Sequence, residues 1–183
     1  MYGVSSCIHS VFIAWEPLMA GWVKLNVDGS RDNQTGSIAT EGVARDLNSN
    51  WVRGFAMHLG AGNILEAELN AVLLGLDMVW DARFRKVIVE SDCLEAVTLI
   101  QNDCSINNPL WWLVQQCKKA VSKEWSCHLA HIYRECNGAV DALAGMGHVC
   151  SNSICFFDTP PQSISHIVKR DAEGLIHVRF LAV

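Results

Sequence analysis

The run ILEAELNAVLLGLDMVWDA, residues 64–82, constrains this chain more than any other stretch. It is built from strong helix formers. At about 100° per residue, Glu66, Asn70, Asp77 and Asp81 fall in one narrow stripe, the solvent face of the helix. Glu68 lies nearly opposite that stripe, on the side that packs against the rest of the protein. A carboxylate in an apolar interface is costly unless it is paired or bound to a cation. The fold must bring something to Glu68.

Three strands precede this helix. VKLNVDGS (residues 23–30) alternates apolar Val23, Leu25 and Val27 with polar Lys24, Asn26 and Asp28, the period-two pattern of a half-buried strand. Arg31 to Gly36 is a polar turn, and a second strand follows at about 37–46. Asn48-Ser49-Asn50 turns the chain into a third, Trp51 to Leu59, with Trp51, Phe55, Met57 and Leu59 expected on one face. Short turns between the three imply an antiparallel meander. Beyond the helix, KVIVESD (residues 86–92) is reached by a helical crossover and is expected parallel to the first strand. Helices are expected at about 93–101 and from Pro109 to about Lys123, with Trp111 and Trp112 assigned to packing and base stacking as the lesser alternative. A fifth strand spans Ser126 to Tyr133, and Asn137 caps a last helix running to about Cys150. The order is β-β-β-α-β-α-α-β-α, an α/β protein. Residues 1–20 read as a lead-in with a Trp15-Glu16-Pro17 linker, 21–150 as the domain, and 151–183 as a tail. The tail carries Pro160-Pro161 and a short helix from Ser163 to Arg170.

With 183 residues, half of them hydrophobic, the chain has enough material for a full core. A net charge of −5 argues against a free-standing, high-affinity nucleic-acid binder. It does not argue against a nuclease, whose metal-binding carboxylates themselves add negative charge. None of the eight cysteines forms a Cys-x-x-Cys pair. Cys127, His131 and Cys136 lie close enough to suggest a zinc set, but scattered thiols packed as small hydrophobes account for them better. No secretory signal and no membrane-length apolar stretch is visible, so an intracellular protein with reduced thiols and no membrane partner is expected.

Three further acids join Glu68. Asp28 ends the first strand, where Asp28-Gly29 is also ordinary turn chemistry. Asp92 ends the fourth; if these strands are neighbours, their C-terminal ends meet where open α/β sheets place ligands. Asp92, with Glu95 three residues on, could instead cap the next helix, and Asp141 could serve the dipole of the last. Converging carboxylates repel one another and need a counter-charge. Oxygen-only ligands suit Mg²⁺ or Mn²⁺, and two such ions can drive phosphodiester hydrolysis.

VKLNVDGS, GVARD, ILEAELNAVLLGL, VIVESDC and HIYRECNGAVDALA, in this order and spacing, resemble the type 1 ribonuclease H domain. The plant, retrotransposon-derived branch termed reverse-transcriptase-like is the more similar. The resemblance covers about residues 21–150 and implies a ribonuclease H-like fold, a mixed five-stranded sheet flanked by helices. It implies that Asp28, Glu68, Asp92 and Asp141 bind two Mg²⁺ or Mn²⁺ ions. Asp28 would bridge both ions, Glu68 and Asp92 would complete one site and Asp141 the other. It further implies cleavage of the RNA strand of an RNA–DNA hybrid, leaving a 3′-hydroxyl, with the 2′-hydroxyl marking that strand.

For the family's assisting histidine, His131 matches by counting, but HIYRECN reads as a shortened loop that leaves His131 on the strand and Arg134 nearest the metals. Asn63, Ile64, Leu65 and Glu66 replace the family's polar grip before the catalytic helix, and no basic insertion is present. Two other readings compete with the endonuclease: an interaction module with little turnover, and an exonuclease of the same superfold. A pure binding module gains nothing from a buried Glu68.

Overall fold

The computed structural model describes residues 8–13, 19–148, 150, 154–172 and 177–182. The Trp15-Glu16-Pro17 linker lies outside them. The chain runs through β1 (Ile8–Ile13), β2 (Val23–Arg31), β3 (Ser37–Arg45), β4 (Trp51–Ala61), α1 (Ile64–Asp81), β5 (Lys86–Ser91) and α2 (Leu94–Gln101). It continues through α3 (Trp111–Val121), β6 (Ser126–His131), α4 (Gly138–Asp141), α5 (Ala144–Gly147), β7 (Cys155–Phe157), α6 (Ser165–Ala172) and β8 (His177–Ala182).

The main sheet has the order β6-β5-β2-β3-β4-β7. β2, β3, β4 and β7 pair antiparallel, whereas β5 and β6 run parallel to β2. The sheet is mixed and six-stranded, one strand more than expected. The extra strand is β7, whose Cys155, Phe156 and Phe157 pair with Ala56, Phe55 and Gly54 at the β4 edge. Three residues carry no readable alternation, so no sequence period announces it. β1 and β8 form a separate antiparallel pair, joining the early and late parts of the chain.

α1 covers one face of the sheet. Val23, Leu25 and Val27 of β2 pack with Leu69, Val72, Leu76 and Val79 of the helix, all at most 1 % exposed. Each such aliphatic side chain contributes about 1.5–3 kcal/mol by leaving water. On the other face, Val43, Val140, Leu143 and Ile164 form a smaller core beneath α4 and α6.

Several expectations give way. The single helix after Asn137 is broken into α4 and α5, each one turn long. Gly138, Gly145 and Gly147 lower the helix propensity throughout this stretch. The Asn137 side chain makes no capping bond to α4. Trp51 and Phe55 face opposite sides, because a register shift between Ala44 and Arg45 breaks the alternation. Trp51 joins the smaller core and Phe55 the larger one. Trp112 is 68 % exposed and does not pack as expected. No helix among the described residues is long and apolar enough to cross a membrane.

Candidate metal centre

The last paired residues of the parallel strands β2 and β5 are Val27 and Ser91. Asp28 and Asp92 therefore stand side by side, one step beyond. Gly29 brings the third acid. A Cβ there would lie 2.5 Å from the Glu68 backbone nitrogen and 2.7 Å from the Ala67 carbonyl carbon. Only a residue without a side chain allows α1 this close to β2, and the closeness carries Glu68 over the strand end.

Asp28, Glu68 and Asp92 each offer a carboxylate oxygen within 4.8 Å of the others. Asp28 and Glu68 are buried and Asp92 is half-buried. Burial, then the charges of Asp92 and Asp141, push Asp28 up to about 7, against the opposing pull of Arg134 and the Gly29 N–H. Glu68 is pushed up to about 9, chiefly by burial and then by Asp28 and Asp92. Its Oε2 is buried without a hydrogen-bond partner. Three close carboxylates with an unused buried oxygen form a donor set that fits a divalent cation, which would supply the missing counter-charge.

Asp92 does not cap the following helix: Cys93 occupies that position, with no side-chain capping bond. Asp141, at the end of α4, stays outside the triad, about half exposed, with its Oδ1 2.5 Å from Arg134 Nη2. It is near enough for its charge to raise Asp28. His131 ends β6 and is exposed, with Nε2 3.2 Å from the Asp92 carbonyl oxygen. A carbonyl only accepts, so Nε2 carries the proton in this contact. Arg134 and His131 both stand on the open rim.

Sequence reasoning missed one acid. Glu41 is the cross-strand partner of Asp28 and is fully buried. Burial first, then the Asp28 charge, push it up to about 8. Ser30 Oγ donates to its Oε1 at 3.2 Å and stands 3.1 Å from His148 Nε2. A Cβ on Gly147 would fall 2.2 Å from Glu41 Oε1, so the α5 backbone rests directly on this carboxylate. The available signal is its place in the row Ala39, Glu41, Val43, a polar residue on an otherwise apolar strand face.

The fold has relatives of known structure. Ribonuclease H1 from the halophilic archaeon Halobacterium salinarum superposes with a TM-score of 0.66, 20% identity, 72% of this chain and 100% of that one covered. The LC11 ribonuclease H1, solved in complex with an RNA/DNA hybrid, gives a TM-score of 0.61 at 18% identity, covering 68% of this chain and 94% of its own. These likenesses define the class by fold: a ribonuclease H-like α/β domain. A profile of the reverse transcriptase-like family matches residues 26–147, and the chain belongs to that family. A candidate ribonuclease H protein of Arabidopsis thaliana is 32% identical over 162 residues, 88% of this chain. The chain spans 26% of that relative's length.

Proposed function

We propose that this chain hydrolyses the RNA strand of RNA–DNA hybrids at internal phosphodiester bonds, with two Mg²⁺ or Mn²⁺ ions. Asp28, Glu68 and Asp92 would hold the first ion, and Asp28 with Asp141 the second. The observation that carries this reading is the triad itself, above all the buried, unpartnered Oε2 of Glu68. Family membership and a structural neighbour bound to a hybrid support it.

When bound, such cations supply Lewis acidity, activating a water and offsetting charge on the departing oxygen. The chain's own residues do the rest. Asp28 and Glu68, raised by burial, give up protons when they take a cation. Arg134 holds the Asp141 carboxylate at the rim, and its exposed guanidinium would suit a phosphate oxygen of the substrate. His131, donating through Nε2 to the Asp92 carbonyl, keeps Nδ1 as an acceptor for a proton.

Cleavage of an end-labelled RNA–DNA hybrid in Mg²⁺ or Mn²⁺, wild type against Asp28→Asn, tests the reading. Internal cuts in the RNA strand are expected, falling to background in the variant, which keeps the shape but lacks the charge. A folded wild type that binds the hybrid and cuts nothing would overturn the nuclease in favour of an interaction module. Release of single nucleotides from an end would overturn the endonuclease in favour of an exonuclease.

A further inference from the structure

The residue just before α4 is spent on something other than the helix. Asn137 is 1 % exposed, and its side chain makes no capping bond. Its Nδ2 instead donates to the Val27 carbonyl oxygen at 3.0 Å and to Asp92 Oδ1 at 3.2 Å. Val27 is the residue immediately before Asp28. The Asn137 backbone carbonyl accepts from the N–H of Asp141 at 3.0 Å, and its own N–H donates to the Arg134 carbonyl at 2.9 Å. One side chain and its peptide groups therefore touch the strand leading into Asp28, the carboxylate of Asp92 and the backbones of Asp141 and Arg134.

The amide orientation follows from its partners. Both are oxygens, a carbonyl and a carboxylate, so the nitrogen must face them. Its Oδ1 is left buried with no hydrogen-bond partner. A buried polar atom without a partner is destabilising. A simple cap would leave no such cost, since its oxygen would accept from the helix. The arrangement gives up the helix's ordinary N-terminal bond to hold two strand ends and a carboxylate in one geometry.

We infer that Asn137 is a positioning residue for the metal centre. It orients the Asp92 carboxylate by occupying one lone-pair direction of Oδ1, leaving the other oxygen for the cation. It also sets where Asp141 stands relative to Asp28. This inference rests on the metal-dependent reading above, but its test does not depend on turnover. Hydrogen-bonding partners of ligating carboxylates typically account for 10–100-fold in metal affinity.

The decisive measurement is Mn²⁺ affinity by titration calorimetry, run without nucleic acid on wild type, Asn137→Ala and Asn137→Leu. Thermal unfolding in chelator is recorded for each. Asn137→Ala should weaken Mn²⁺ binding roughly tenfold. Asn137→Leu is similar in size, adds no charge and has no N–H to give Asp92, and should weaken it at least as much. Glu124→Gln, on the exposed turn before β6, should bind as wild type does. If both Asn137 variants bind Mn²⁺ like wild type and merely melt earlier, the residue is structural and the inference falls. If Asn137→Ala does not fold, Asn137→Leu decides alone. A wild type with no Mn²⁺ affinity above that of Asp28→Asn overturns the inference together with the metal centre. A wild type that binds Mn²⁺ but cleaves no hybrid overturns the proposed reaction only, and the Asn137 comparison still stands or falls on affinity.

Discussion

Three buried acids at one end of a sheet make the chain's stability depend on pH in an uncommon direction. In the unfolded state, Asp28, Glu41 and Glu68 ionise near about pH 4. In the folded state they are raised to about 7, 8 and 9 respectively, largely by burial. Between these limits the folded chain holds protons that the unfolded chain has released. The stabilisation is fully present below the unfolded values and is lost as pH rises through the folded ones. The melting temperature in chelator should therefore fall between about pH 5 and about pH 9, as calorimetric scans at stepped pH would show. Saturating Mn²⁺ should flatten most of this slope, since a cation replaces the protons on Asp28 and Glu68. A residual slope from Glu41, which lies outside the triad, should survive. A metal-free melting temperature that does not fall across this window would mean that these acids ionise in the fold as they do in the unfolded chain.

At the scale of elements, the site depends on how closely α1 approaches β2. Gly29→Ala puts a methyl into the Ala67–Glu68 backbone, which cannot yield as a flexible side chain would. A loss at or above the top of the ~1–3 kcal/mol range for inserted methylenes is expected, read by urea unfolding. Mn²⁺ affinity should drop as Glu68 is pushed off the strand. This contact also shows what the sequence makes legible. The alternation of Val23, Leu25 and Val27 and the position of Glu68 opposite the polar stripe are local patterns, and they place β2, α1 and the acid between them. Glu41 escapes because a lone glutamate in a strand looks like its solvent face until α4, α5 and α6 cover that side. Trp51 escapes because a bulge inverts its parity, and bulges leave no mark in hydropathy. Asn137 fits a helix N-cap by residue type, and only the two oxygens facing its nitrogen show otherwise. Local periodicity is readable, whereas contacts between distant segments are not.

Across the whole molecule, the late part of the chain is tied to the sheet. β7 occupies the open edge of β4, and Ile164 is buried against Val43, Val140 and Leu143. Truncation after Cys150 would bare both that edge and the smaller core. Exposed strand edges pair with other chains, so the truncated protein should run as dimers or larger species in size-exclusion chromatography. Amide exchange should speed up in Trp51–Ala61 and in α4, next to Asp141. A monomeric truncated form with unchanged exchange would show that β7 and α6 are dispensable to the domain.

The contact between Glu41 and Gly147 has a historical consequence. Position 147 cannot gain a side chain while Glu41 stays, because that side chain would enter the space of the Glu41 carboxylate and the Ala39 methyl. Lineages that carry glycine at 39 and a small residue at 41 should be free to vary at 147. Those that keep the acid should keep glycine there. An alignment of relatives should record the pair as a one-way inheritance, with the glycine replaced only in branches that have already lost the acid.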